Sequence, residues 1–322
     1  MNIVLCFPVE DRHIAQIEKA CLPDDVVINA GQERIAECLP DADVFCGHAK
    51  VPVPWDSVVE TGRLRWIQSS AAGLDHCLVP SVIASDIPVT SASGLFAPQV
   101  AEQTAALLFG LLRSMPTFFE AQRKKEFIRR PTHDLLGKTV GIVGFGGNGQ
   151  RIAKTLEPFG VEIIATDKFP HNRSAYVKEL WPAEELTKLL QQSDIVIMCV
   201  PLNSETLGMM AKAQFAAMKH GAFFLNVARG QVVVEKDLVH ALSTEHLGAA
   251  GLDVTEVEPL PESSPLWEMP NVMISPHVGA QSAKRVDVTV DFFCENLQRF
   301  REGRPLKNLV DKQLGFPVPD LK

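Results

Sequence analysis

The chain has 322 residues, more than one hydrophobic core of roughly 250–300 residues usually organises, so two domains are expected. Apolar residues make up 46% and charged residues 22%, the balance of an ordinary globular protein, which excludes a disordered or collagen-like chain. A net charge of −8, with "RKKEFIRRP" (123–131) as the one dense basic cluster, argues against nucleic-acid or membrane-surface partners and makes that cluster a solvated helix face or linker.

The N-terminal "MNIVLCFPVE" lacks a basic leader and turns acidic at once, as a first strand does and a signal peptide does not. Further strands are expected at 26–29, 43–47, 64–69 and 87–91, after a first at 2–7, alternating with helical patterns. That alternation predicts a small parallel α/β sheet. The long apolar helix "APQVAEQTAALLFGLLRSM" (97–115) carries Glu102, Gln103 and Arg113. It is too polar to span a bilayer and suits a buried position at a domain or subunit interface.

A second series of strands is expected at 138–144, 162–167, 194–200, 222–227, 248–254 and 272–276. These are nearly continuous apolar runs, as strands covered on both faces should be. An amphipathic segment (280–303) follows. The resulting division gives a dinucleotide-binding domain at 97–288 and a second domain built from 1–96 plus 289–322. Seven cysteines (Cys6, Cys21, Cys38, Cys46, Cys77, Cys199, Cys294) form no Cys-x-x-Cys pair and are odd in number. They read as reduced thiols of a cytoplasmic protein, and no metal site is expected.

Gly144, Gly146 and Gly149 form a Gly-x-Gly-x-x-Gly pattern, with Gly147 and Asn148 inside it, directly after the strand "TVGIV" and before a helical stretch. The first glycine permits a tight turn, the second lets backbone approach a pyrophosphate, and the third lets helix pack on strand. The helix N-terminus then presents N–H groups to the phosphates. Asp167 closes the next strand, eighteen positions after Gly149, where a carboxylate can accept the ribose hydroxyls of NAD. Lys168 beside it could instead reach a 2′-phosphate.

Three later strands end in polar residues at the edge where ligands of open α/β sheets sit: Arg229 after "FFLNVA", Asp253 and Glu258 in "GLDVTEVEP", and His277 after "VMISP". Singly, each could be a surface or turn residue. Together they are what carbonyl reduction requires. A guanidinium can hold a substrate carboxylate in a planar fork, an imidazolium can donate a proton as hydride arrives, and a neighbouring carboxylate favours the charged imidazole.

Through "DLLGKTVGIVGFGGNG", "CVPLNSETLGMM", "LNVARGQVV", "GLDVTEVEP" and "SPHVGAQS", in that order, the sequence resembles the D-isomer-specific 2-hydroxyacid dehydrogenases over about 60–312. The resemblance implies two doubly wound parallel-sheet domains, a Rossmann domain inserted into a smaller flavodoxin-like substrate domain, with cofactor and substrate in a cleft between them and a homodimer built around the long helix. It implies that Arg229 binds substrate, that His277 is the acid/base and that Glu258 is its partner. Asp253 would lie near the nicotinamide, Pro201 and Leu202 would wrap the cofactor, and the backbone at Ala72 and Gly73, in "SSAAGLDH", would bind the substrate carboxylate. Asn148 departs from the pattern, standing where the family usually has an apolar helix-packing residue.

Hydroxypyruvate, glyoxylate, 3-phosphoglycerate and lactate all fit as substrates, with Lys50, Trp55, Leu95 and Phe96 as residues expected to shape the side-chain pocket. Formate dehydrogenation is disfavoured, because that branch carries Gln where this chain has Glu258. The alternative is a non-enzymatic NAD(H) sensor, since corepressors of the C-terminal-binding-protein type are similar and keep the same motifs.

Overall fold

Of the chain's residues, the computed structural model describes 1–171 and 173–318, in two units. Among the described residues the first comprises Met1–Leu95 and 282–318. Its strands are β1 (Asn2–Cys6), β2 (Val26–Asn29), β3 (Val44–Gly47), β4 (Trp66–Ser69) and β5 (Val89–Thr90). All are parallel, in the order β2-β1-β3-β4-β5, the flavodoxin-like winding. Alternate side chains point to opposite faces, and both faces are covered. Val4, Phe45 and Ile67 enter one apolar cluster, and Ile3, Leu5, Val44 and Trp66 the other. The helix Arg285–Arg301 covers the second face: Trp66 stacks on Phe293 at 5.4 Å and its indole N–H donates to Thr90 Oγ1 at 2.8 Å. Fully buried Asn296 donates to Gln68 Oε1 and to the carbonyl of Lys307, each at 3.1 Å.

The second unit, Phe96–Gln281, contains seven strands. They are β6 (Thr139–Val143), β7 (Glu162–Asp167), β8 (Glu179–Pro182), β9 (Ile195–Met198), β10 (Ala222–Asn226), β11 (Leu247–Leu252) and β12 (Val272–Ile274). They form one parallel sheet in the order β12-β11-β10-β9-β6-β7-β8. Counted from β6 this is the doubly wound order of a Rossmann domain, and the winding reverses between β6 and β9. Val140, Ile142, Ile197 and Leu225 meet Leu107, Leu108 and Leu111 on one face, while Val143, Val196, Met198 and Phe224 meet Leu238 and Leu242 on the other. Burial on both faces explains the unbroken apolar runs.

Two details differ from expectation. β8 was not foreseen, because "ELWP" is a part-exposed edge strand with a glutamate and a proline instead of an apolar run. The long helix runs only from Ala97 to Leu112; Ser114 then takes a left-handed conformation (φ 53°) and a second helix, Met115–Arg123, begins with a proline in its first turn. The basic stretch beyond Arg123 is exposed and carries no helix or strand. Among the described residues no helix is long and apolar enough to cross a membrane. Burial pushes the thiols of Cys6 and Cys294 up to about 11 and that of Cys199 to about 12. At neutral pH they are protonated and pack as small apolar groups.

Candidate active site

The glycine turn leaves β6 at its C-terminal end. Gly144 has φ 94°, and a Cβ there would lie 2.9 Å from the backbone of Cys199; a Cβ on Gly149 would lie 2.2 Å from the carbonyl oxygen of Gly144. Both positions therefore exclude side chains. Gly146 differs: nothing lies within 4 Å of where its Cβ would be. That open, exposed backbone precedes the helix Gly147–Leu156, whose N-terminus no side chain caps. Gly146, Gly147 and the half-buried Asn148 thus present a first helical turn to any anion placed there. The residues fit a dinucleotide pyrophosphate.

Asp167 stands at the end of β7. Its Oδ2 accepts the N–H of Phe145 at 2.6 Å and its Oδ1 the N–H of Phe169 at 2.8 Å, which ties the strand end to the glycine turn. Each carboxylate oxygen retains a lone pair for another donor. Pro201 and Leu202 follow β9 on the other side of β6, in a turn closed by Thr206 Oγ1, which donates to the Pro201 carbonyl at 2.6 Å.

The C-terminal ends of β10, β11 and β12 bring Arg229, Glu258 and His277 to one edge of the same sheet. Nδ1 of His277 lies 2.8 Å from Glu258 Oε2, and both side chains are partly open to solvent. The other oxygen of Glu258 accepts the N–H of Thr255 at 3.2 Å, which fixes the carboxylate's orientation. With Nδ1 engaged, Nε2 is the ring atom left for a reacting group.

Asp253 has a different setting from the one its motif suggests. It is buried, and its carboxylate is committed to the loop that carries the histidine: Oδ1 accepts from Ser275 Oγ at 2.7 Å and Val278 N at 3.0 Å, and Oδ2 from Gly279 N at 2.8 Å. The Asp253 carbonyl also takes the N–H of His277 at 2.8 Å. Gln103, on the long helix, donates to Ser275 Oγ at 2.8 Å and extends the network.

Arg229 follows β10 on a bend held by buried Asn226, whose side chain donates to the Arg229 carbonyl at 2.9 Å and accepts the Ala228 N–H at 3.1 Å. The guanidinium donates to the Ala228 carbonyl at 2.8 Å. Gly230 allows this bend to lie against the loop of Glu258: a Cβ there would meet the Thr255 carbonyl oxygen at 1.7 Å. Asn226, Gly230, Ser275 and Gln103 escaped the sequence reading. "LNVARG" contains the signal for the first two, since an amide and a glycine flank the arginine; the role of Gln103 rests on a contact 172 positions away.

In the first unit, Ala72 and Gly73 lie just past the end of β4. Ser69 Oγ receives the Ala71 N–H at 3.0 Å and the Gly47 carbonyl receives the Ser70 N–H at 3.0 Å, which pins the start of the loop. Among the described residues the N–H groups of Ala72 and Gly73 donate to no protein acceptor. Of the residues expected to shape a pocket, Trp55 and Phe96 are buried; Trp55 packs edge-on against Phe45 and its indole N–H holds the His76 carbonyl at 2.9 Å, so it supports the loop from below. Lys50 is exposed and Leu95 half-buried.

The family described as D-isomer specific 2-hydroxyacid dehydrogenase, NAD binding domain, matches residues 105–279. The chain is 32% identical over 290 residues to the glyoxylate reductase of Korarchaeum cryptofilum, covering 87% of this chain and 86% of that protein. Among solved structures, a D-isomer specific 2-hydroxyacid dehydrogenase from Xanthobacter autotrophicus Py2, in complex with NADPH and MES, superposes with a TM-score of 0.83 at 28% identity, covering 98% and 99% of the two chains. The NADPH-dependent glyoxylate/hydroxypyruvate reductase of Sinorhizobium meliloti, in complex with NADP and sulfate, gives a TM-score of 0.81 at 27% identity, covering 98% and 99%. With two parallel-sheet units, a glycine turn built for a dinucleotide, and an arginine, a glutamate and a histidine at one edge of the sheet, the chain belongs to the D-isomer-specific 2-hydroxyacid dehydrogenases, oxidoreductases of CH–OH donors.

Proposed function

We propose that this enzyme interconverts a small 2-keto acid of the glyoxylate or hydroxypyruvate type and its D-2-hydroxy acid, using NAD in preference to NADP. The observation that carries the reading is the 2.8 Å contact between His277 Nδ1 and Glu258 at the strand edge that also bears Arg229. When bound at the glycine turn, a reduced nicotinamide cofactor supplies the hydride. His277 gives the proton from Nε2 to the carbonyl oxygen, and the adjacent carboxylate holds the ring in the orientation for it. Arg229 holds the substrate carboxylate and polarises the carbonyl. Asp253 acts through the histidine loop, which it keeps in place. In the first unit, the N–H groups of Ala72 and Gly73 are suited to a carboxylate.

Preference for NAD is supported by Asp167, whose charge favours ribose hydroxyls and opposes a 2′-phosphate. The NADPH and NADP held by the two solved relatives belong to those proteins. Exposed Phe119, Phe127, Ile128 and Leu136, all within one stretch after the long helix, support pairing with a second copy of the chain. Seven unpaired cysteines support a reducing compartment such as the cytoplasm. The test is NADH oxidation against glyoxylate, hydroxypyruvate, 3-phosphohydroxypyruvate and pyruvate. Turnover greatest on the first two bears the reading out; retained NADH binding with no turnover on any would instead favour a sensor.

A further inference from the structure

The sequence places Lys168 beside Asp167, where its ammonium could reach a 2′-phosphate. In the structure its Nζ lies 2.5 Å from both carboxylate oxygens of Glu205. Lys168 directly follows β7 and Glu205 follows β9, and β6 lies between those two strands. The ion pair therefore bridges the two neighbours of β6 at the edge from which the glycine turn leaves.

The loop backbone that carries the glutamate is held in place. Asn203 Oδ1 accepts the N–H groups of Glu205 at 3.0 Å and Thr206 at 3.1 Å, and Thr206 Oγ1 donates to the Pro201 carbonyl. The lysine reaches it on a flexible four-carbon stem. Asp167, next to Lys168, is itself fixed by two backbone N–H groups. The anchored carboxylate of Asp167, beside Lys168 in the chain, and the Glu205 carboxylate that holds its ammonium give the group a net negative charge.

Resting on the reading of this edge as a dinucleotide site, we propose that Glu205 is a cofactor-specificity residue: by holding Lys168 and adding a second negative charge, it excludes the 2′-phosphate of NADP. A lysine free beside Asp167 would neutralise such a phosphate. A lysine that must first leave Glu205 exposes a carboxylate to the incoming dianion, so the loss is counted twice. The 2′-hydroxyl of NAD meets neither penalty. Discrimination by a repulsive element alongside an attractive one is a general route to specificity.

The experiment is direct binding, by calorimetry, of NADH, NADPH, 5′-AMP and 2′,5′-ADP to the native protein, Glu205→Gln, Lys168→Met and the double variant. Glu205→Gln should tighten NADPH and 2′,5′-ADP by about fivefold, the upper range for one exposed charge pair, and leave NADH and 5′-AMP within about twofold. The gain should shrink in 0.5 M salt, where the screening length falls to roughly 4–5 Å, and most of it should vanish in the double variant. NADH binding with an unchanged NADPH to NADH ratio in Glu205→Gln overturns the role of Glu205 alone. A gain retained in full in the double variant does so too. Failure of NADH and 5′-AMP to bind the native protein overturns the dinucleotide reading and this inference with it.

Discussion

Nδ1 of His277 and Oε2 of Glu258 meet at 2.8 Å although they leave the sheet from different strands, one after β12 and the other after β11. Both side chains are partly solvent-exposed, so removing the imidazole should cost the fold little. His277→Ala should therefore lower keto-acid reduction by about 10²-fold or more while NADH binding stays nearly unchanged. Glu258→Gln should also lower the rate, by about tenfold or more, because the ring loses the carboxylate that fixes its orientation. Steady-state rates check both; an undiminished rate in Glu258→Gln would break the pair as a functional unit.

Arg229→Lys keeps the charge and loses the planar fork. Both KM for the keto acid and kcat should worsen, together by about 10²-fold in kcat/KM, with cofactor binding intact. A lysine variant running at the full rate would show that another group holds the carboxylate.

Gly230→Ala tests the packing that brings the arginine loop against the glutamate loop. The added methyl would sit 1.7 Å from the Thr255 carbonyl, so the loops must separate. A loss of about 2–3 kcal/mol in stability is expected from overpacking, with a fall in kcat larger than the fall in NADH affinity. Denaturant melts and single-turnover rates measure the two effects separately. An alanine variant with native stability would mean that the loops yield without strain.

Asp167→Ala removes the charge opposed to a 2′-phosphate and also frees the N–H groups of Phe145 and Phe169. The ratio of kcat/KM for NADH over NADPH should drop by about tenfold to a hundredfold. Because the glycine turn loses a tether, NADH binding should weaken as well. An unchanged ratio would reduce Asp167 to a turn residue.

Much of this was legible from the chain alone, and the parts that were not share a physical cause. Strands buried on both faces announce themselves as runs such as "DIVIMCV", and the glycines at 144, 146 and 149 follow from local backbone geometry. β8 lies at a sheet edge, where no apolar run is needed, and the break at Ser114 depends on one residue's backbone conformation. Asp253 has the signature of a ligand residue, yet its hydrogen bonds go to Ser275, Val278 and Gly279, partners that only the fold brings near. The pairing of Lys168 with Glu205 joins two loops 37 positions apart and has no periodicity by which to detect it.

His277 occupies the left-handed region at φ 53°, a conformation that costs a histidine about 1 kcal/mol and a glycine almost nothing. The loop network around Asp253 holds it there. The histidine loop is thus a site of stored backbone strain, where, on the proposed role of His277, activity and thermal endurance are set against each other. Replacing His277 by glycine should give a protein that melts at a higher temperature than the alanine variant and is just as inactive. In a lineage that had kept the fold as a sensor and abandoned turnover, this is the position where glycine would be free to appear.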